Sequence, residues 1–280
     1  MDYSEQAVPA ALQAHVQCLW RLRDAAPGTA PQTIYPDGRC EVIVHLGTPM
    51  EILGADGLWR AQGRCLFAGQ ARTAVRLRAA GPLDCLGARL HPAASAALIG
   101  AQAPALASLA DQVVDLQGID ADLAQALARH IDDGAEDPPA WFAQCLIDRL
   151  EHRAVDAAIA GVVATIDAAH GNLPIRPLVA ASGFGLRTLQ ARFLAAVGLT
   201  LKEYALVQRL QATIRELDGG AGGLAETALA AGFADQAHAT RAVRRFAGLT
   251  PAKLRRALQA ERDGDRTLAL AAAFVRGGSA

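Results

Sequence analysis

The chain has 280 residues, is 52% apolar by residue type but only 5% aromatic, and carries a formal net charge of -1. That length exceeds one ordinary domain and suits two, each able to bury its own core. The longest late apolar run, Leu268 to Val275, is shorter than the ~20 residues a bilayer span needs, and the start, with Asp2, Glu5 and Pro9, lacks the profile of an export signal, so a cytoplasmic protein without membrane contact is expected.

The first hundred residues read as short strands separated by turn chemistry. Residues 40–46 are rich in β-branched side chains, with Val42, Val44 and Leu46 on one face and Glu41, Ile43 and His45 on the other. Pro36-Asp37-Gly38 and Asp56-Gly57 supply turns, Val75 and Leu77 alternate with Arg76 and Arg78, and Gly81-Pro82 leads into a further strand at Leu83–Leu90. Such a series predicts a small β-barrel or sandwich. From Pro92 the period becomes helical, with helices expected over Pro92–Ile99, Asp120–Ile131 and Trp141–Arg153 and an acidic, proline-ended linker at 132–139. Five cysteines, Cys18, Cys40, Cys65, Cys85 and Cys145, are scattered without a C-x-x-C pair. They read as small buried hydrophobes, and no metal or cofactor is expected.

The charge is divided unevenly. Residues 156–260 hold 12 Lys+Arg against 7 Asp+Glu, a balance of +5, whereas residues 1–155 hold 12 against 18, a balance of -6. A basic segment behind an acidic one is the arrangement expected when only one part meets phosphates. The basic segment contains an internal duplication. Val179-x-x-x-Gly183-Phe184 recurs 49 residues later as Ala228-x-x-x-Gly232-Phe233, and Gly198-Leu199-Thr200 recurs 50 residues later as Gly248-Leu249-Thr250. A small residue followed four positions later by glycine suits two helices meeting at a steep angle, with glycine taking the positive φ of the turn. Leu186, Leu189 and Phe193 form the apolar stripe of the second helix in copy one, and Ala239, Ala242 and Val243 face inward in copy two. Thr200-x-x-Glu203 is a capping box opening a long helix to about Leu217, and Thr250-Pro251 opens another.

These residues carry a family resemblance. The run Gly232-Phe233-Ala234-Asp235-Gln236-Ala237-His238-Ala239-Thr240-Arg241-Ala242-Val243-Arg244-Arg245-Phe246, followed by Gly248-Leu249-Thr250-Pro251, resembles the G-F-x-D-x-S-H-F-x-R-x-F-(K/R)-(K/R) … G-x-(S/T)-P pattern of AraC-type transcription regulators. Ala237 departs from the usual Ser, Ala239 and Val243 from the usual Phe, Gly185 from a capping Ser and Ala191 from a common Arg. The N-terminal stretch with Tyr35-Pro36-Asp37-Gly38 is similar to the β-rich sensor domains joined to that unit. The fold expected is therefore α+β and multi-domain: a cupin-like β-barrel or sandwich with following helices, then an all-α domain of two helix-turn-helix units joined by a long helix. The divisions are 1–105 for the sensor or dimerisation domain, 106–155 for a helical connection, 156–258 for DNA binding and 259–280 for a tail of unassigned role.

The resemblance implies a sequence-specific DNA-binding regulator, not an enzyme, controlled by a small effector or partner. Arg187, Thr188 and Gln190 in the first unit and Gln236, His238 and Arg241 in the second are the outward residues expected to read bases; Arg suits guanine edges and Gln adenine. Arg192, Lys202, Arg244, Arg245 and Arg255 are expected on phosphates. Tyr35, Asp37, Arg39, His45 and Arg89 are the candidate effector pocket, although Asp37 reads first as a turn former. The expected partners are double-stranded DNA, a small-molecule effector, RNA polymerase and a second copy of the chain. The rival readings are a metal-dependent cupin-type enzyme using His15, His45, His91, Glu41 or Asp37, a methyl-accepting repair regulator, which needs a cysteine cluster, and a protein-interaction adaptor.

Overall fold

The structure, a computed structural model, describes residues 1–99, 103–219 and 222–262, without the side chains of 261 and 262. The expected tail from 263 onward and the apolar run Leu268 to Val275 lie outside the described residues, whereas residues 259–262 continue the last helix.

The strands in chain order are β1 (Asp2–Gln6), β2 (Val16–Asp24), β3 (Gln32–Ile34), β4 (Glu41–His45), β5 (Glu51–Leu53), β6 (Trp59–Ala61), β7 (Cys65–Ala68), β8 (Val75–Arg78), β9 (Leu83–Leu90) and β10 (Val113–Asp115). They form two antiparallel sheets, one ordered β1-β2-β9-β4-β7-β10 and the other β3-β8-β5-β6. The alternation in β4 divides the larger sheet's contacts as its pattern requires. Val42 and Val44 join Phe67, Leu86 and Leu90 in a core shared with two helices, whereas Ile43 packs with Trp20, Leu22, Met50 and Cys85 on the opposite face. Gly87 is fixed by this packing: opposite Trp20 in the β2–β9 register, it leaves room that a Cβ would take from the Trp20 indole.

The helices covering the larger sheet are α1 (Ala121–Asp132) and α2 (Pro138–Leu150). Asp120 caps α1 by accepting the Leu123 N–H at 3.1 Å. Pro138 and Pro139, read from the sequence as the end of a linker, instead begin α2, where proline's missing N–H costs nothing. Leu123, Leu127, Phe142, Leu146 and Leu150 are buried against the strands, so these helices are part of the N-terminal core. The segment expected to be a helix over Pro92–Ile99 is a 3-10 helix at Pro92–Leu98. All five cysteines are free and buried.

The C-terminal region is all-helical: α3 (Ala157–Ala168), α4 (Ile175–Ser182), α5 (Leu186–Val197), α6 (Leu201–Gly219), α7 (Leu224–Ala230), α8 (Gln236–Ala247) and α9 (Pro251–Arg262). Asp156 caps α3 by accepting the N–H groups of Ala158 and Ile159. The Thr200–Glu203 capping box closes in both directions: the Thr200 N–H donates to Glu203 at 3.0 Å and the Glu203 N–H to the Thr200 hydroxyl at 3.2 Å. The long central helix that follows has 19 residues, which at 1.5 Å per residue span about 28 Å.

Candidate nucleic-acid interface and cavity

The pairs α4–α5 and α7–α8 are the two bent units. Each turn places glycine in the left-handed region, Gly183 at φ +71° and Gly232 at φ +77°, which is why that residue type recurs there. On α5, Leu189 and Phe193 are fully buried while Arg187, Thr188, Gln190 and Ala191 are exposed. Leu186, expected in the apolar stripe, is 45% exposed. It is the first residue of α5, and the stripe reaches the core only one turn later, at Leu189.

On α8, Ala239, Ala242, Val243 and Phe246 are buried, and Gln236, Arg241, Arg244 and Arg245 are exposed. Asp235 caps this helix by accepting the His238 N–H at 2.6 Å. The His238 ring is half-buried and stands edge-on to Phe233 at 5.2 Å.

The five cations assigned to phosphate differ in their surroundings. Lys202, Arg244 and Arg245 face solvent, with the Arg245 guanidinium 5.3 Å from the Phe246 ring. Arg192 is tied to Asp156 through Nε at 3.0 Å and Nη2 at 2.6 Å, and lies over the Phe184 ring. Arg255 is half-buried and donates from Nη2 to the Gly222 carbonyl at 2.7 Å. Both partners are distant in sequence, so nothing local signalled them.

Between the two sheets lies a cavity of about 110 Å³. Trp20, Leu22, Ile34, Ile43, Met50 and Leu77 provide apolar walls, and Tyr35, Asp37, Arg39, Glu41 and His45 line it as well. Arg89 stands behind Glu41 rather than on the wall: Nε donates to Glu41 Oε1 at 3.0 Å and lies 3.7 Å from Asp37 Oδ2. Burial pushes the Glu41 carboxyl up to about 7, against the pull of Arg89 and with Asp37 adding to the rise. Asp37 also makes the turn, its Oδ1 accepting the Arg39 N–H at 2.9 Å, so the turn-forming and wall-lining readings hold together.

Buried His45 contacts Cys85 Sγ at 3.1 Å and Gln62 Oε1 at 3.3 Å. Burial lowers the His45 pKa and pushes the Cys85 thiol up to about 12, which opposes thiolate formation. Among the described residues, no group of three or more His, Cys, Asp or Glu side chains is placed to hold a metal ion, and no helix is long and apolar enough to cross a membrane.

Sequence reasoning missed Glu41 and Trp20 as wall residues and missed the seam joining the two halves. Glu41 had a signal: it is a carboxylate on the inner face of a β-branched strand, and Arg89 is its cross-strand partner in the β4–β9 register. At the seam, Arg39 donates to the Tyr204 hydroxyl at 2.7 Å and to Asp167 at 3.0 Å, and Tyr204 in turn donates to Asp167. Gln208 and Gln211, buried one turn apart on α6, donate to the carbonyls of Asp37 and Pro36. The turn Pro36–Arg39 thus borders the cavity on one side and grips the spacer helix on the other.

Two helix-turn-helix units on one long helix, each presenting exposed Arg and Gln from its second helix, define a DNA-binding domain of the helix-turn-helix class. Residues 178–257 match the family model of a helix-turn-helix domain, and residues 5–115 match that of a domain of unknown function (DUF6597). No curated protein matches the chain. Among solved structures, ToxT from Vibrio cholerae is similar over 84% of this chain and 97% of its own, at 9% identity and a TM-score of 0.47. ToxT from Vibrio cholerae O395, bound to (E)-4-(8-methylnaphthalen-1-yl)but-3-enoic acid, covers 85% of this chain and 99% of its own at 9% identity and a TM-score of 0.48. The AraC-like transcriptional activator CuxR covers 69% of this chain and 75% of its own at 16% identity and a TM-score of 0.29.

Proposed function

We propose that this chain is a cytoplasmic, sequence-specific transcription regulator whose α5 and α8 enter successive major grooves of one duplex, under the control of a small effector in the inter-sheet cavity. The observation that carries the reading is the pair of exposed sets, Arg187 with Gln190 and Gln236 with Arg241, on helices joined by α6. Adjacent major grooves are about 34 Å apart, and α6, about 28 Å long, sets the separation of the two units. Lys202, Arg244 and Arg245, which face solvent, serve as phosphate contacts that position the domain. The effector part rests on the seam: a ligand that moves Asp37 or Arg39 acts directly on the anchorage of α6 and α3.

The test is footprinting on a duplex selected with the purified chain. Arg241→Ala combined with Gln190→Ala removes one reading contact per unit, each worth roughly 1–3 kcal/mol, so the specific footprint disappears while circular dichroism is unchanged. An undiminished footprint from the doubly substituted protein overturns the assignment of reading residues. Binding that is insensitive to salt favours the adaptor reading instead.

A further inference from the structure

We infer that the inter-sheet cavity selects a small hydrophobic cation, an ammonium group on an apolar body about the size of a benzene ring. The inference rests on the reading of that cavity as the effector site and adds the charge and size of the ligand.

Size follows from the cavity volume. About 110 Å³ is available, somewhat less than an engineered cavity of about 150 Å³ that holds benzene. The walls formed by Leu22, Ile43, Met50 and Leu77 offer such a body apolar contact.

Charge follows from the partners of each ionic group at the wall. Arg39 is committed outward, its Nε to Gln17, Nη1 to the Gly38 carbonyl and Tyr204, and Nη2 to Asp167. Asp111 is matched by Arg72, which also lies 3.6 Å from Glu203. That leaves Arg89 facing two carboxylates, Glu41 at 3.0 Å and Asp37 at 3.7 Å. One positive charge against two negative ones is an imbalance that an ammonium ion corrects and a carboxylate ion worsens. In a low-dielectric cavity that difference is amplified. Burial pushes Glu41 up to about 7, and a cation bound beside it, like Arg89, favours its ionised form.

The test uses the full chain and three ligands of matched shape in titration calorimetry: 2-phenylethylamine, 3-phenylpropanoate and 2-phenylethanol. The amine is expected to bind at least about tenfold more tightly than either other ligand, a difference of ~1.4 kcal/mol. Asp37→Asn keeps the side-chain oxygen that accepts the Arg39 N–H but removes the surplus charge, so it should bring the three affinities to within about threefold of one another. Leu77→Trp, which fills the cavity, should abolish binding of all three. Equal or tighter binding of the acid or the alcohol overturns the charge inference and leaves the cavity as an effector site. Amine binding that survives Leu77→Trp in a folded protein places the ligand elsewhere and also overturns the inference. If none of the three binds at millimolar concentration while the protein still footprints DNA, the effector reading of the cavity falls, and the inference falls with it.

Discussion

The two helix-turn-helix units share a plan but are held in place by different means. Helix α5 has no side-chain cap, because Gly185 stands at its N-cap, yet its buried face meets the N-terminal body at the 3-10 turns Pro92–Leu98 and Leu106–Leu109. Helix α8 has the Asp235 cap but rests partly on a small cluster of Ala212, Ala228, Ala231, Phe233, Ala239 and Ala242. Helix α8 also places Val243, Phe246 and Ala247 in the core that holds Phe193 and Tyr204. Both units thus bury a phenylalanine in one core, and they differ in that the first leans on the N-terminal body and the second carries the side-chain cap.

The largest expected effect comes from Phe193→Ala, which removes a fully buried ring and should cost about 3–5 kcal/mol. The same substitution should lower the stability of the N-terminal half, read in denaturant unfolding by the fluorescence of Trp20 and Trp141. Val243→Ala in the second unit removes less from an equally buried position and should cost about 2 kcal/mol, without loosening the N-terminal half. Equal costs, or equal spread, would break the contrast. Asp235→Ala deletes the α8 cap and should cost ~1 kcal/mol, seen as faster amide exchange confined to α7 and α8.

Acid should weaken the first unit selectively. Burial alone would raise the carboxyls of Asp156 and Glu203, but hydrogen bonds with Arg192 and the Ile159 N–H, and with Thr200 beside Arg72, outweigh it and hold both below their ordinary values. Their stabilisation is therefore complete above the unfolded carboxylate range and is lost as pH falls through the depressed folded values. Amide exchange of α3 and α5 between pH 5 and pH 3 checks this, and Arg192→Ala should flatten the response. The smallest effect is a gain: Gly185→Ser introduces a cap at φ -68° with open space around the new side chain and should stabilise α5 by a few tenths of a kcal/mol.

The helical half was readable in the sequence because its punctuation is local. Gly183, Gly232, the Thr200–Glu203 box and Thr250-Pro251 act within one turn of themselves, and each stands where its chemistry placed it. Leu186 escaped because a stripe of correct period does not reveal where packing begins. Strand β1 carries Tyr3-Ser4-Glu5-Gln6 with little apolar alternation and is ordered by pairing with β2, which periodicity cannot show. At the cavity, Tyr35, Asp37, Arg39 and His45 stand on the wall, whereas Trp20 and Glu41 enter it through cross-strand registers with Gly87 and Arg89. The commitments of Arg192 to Asp156 and of Arg255 to Gly222 link residues more than thirty positions apart, beyond any local pattern.

The turn at Pro36–Arg39 has a consequence for how such a protein can diversify. Its side chains meet the cavity while its carbonyls and Arg39 hold α6 and α3. An exchange at Arg39 therefore alters two traits together, the chemistry admitted and the firmness with which the duplex-gripping half is attached. Ligand preference can change separately at Ile34, Met50 or Leu77, which line the cavity and pack in the cluster around Trp20 and Leu22 rather than in the seam.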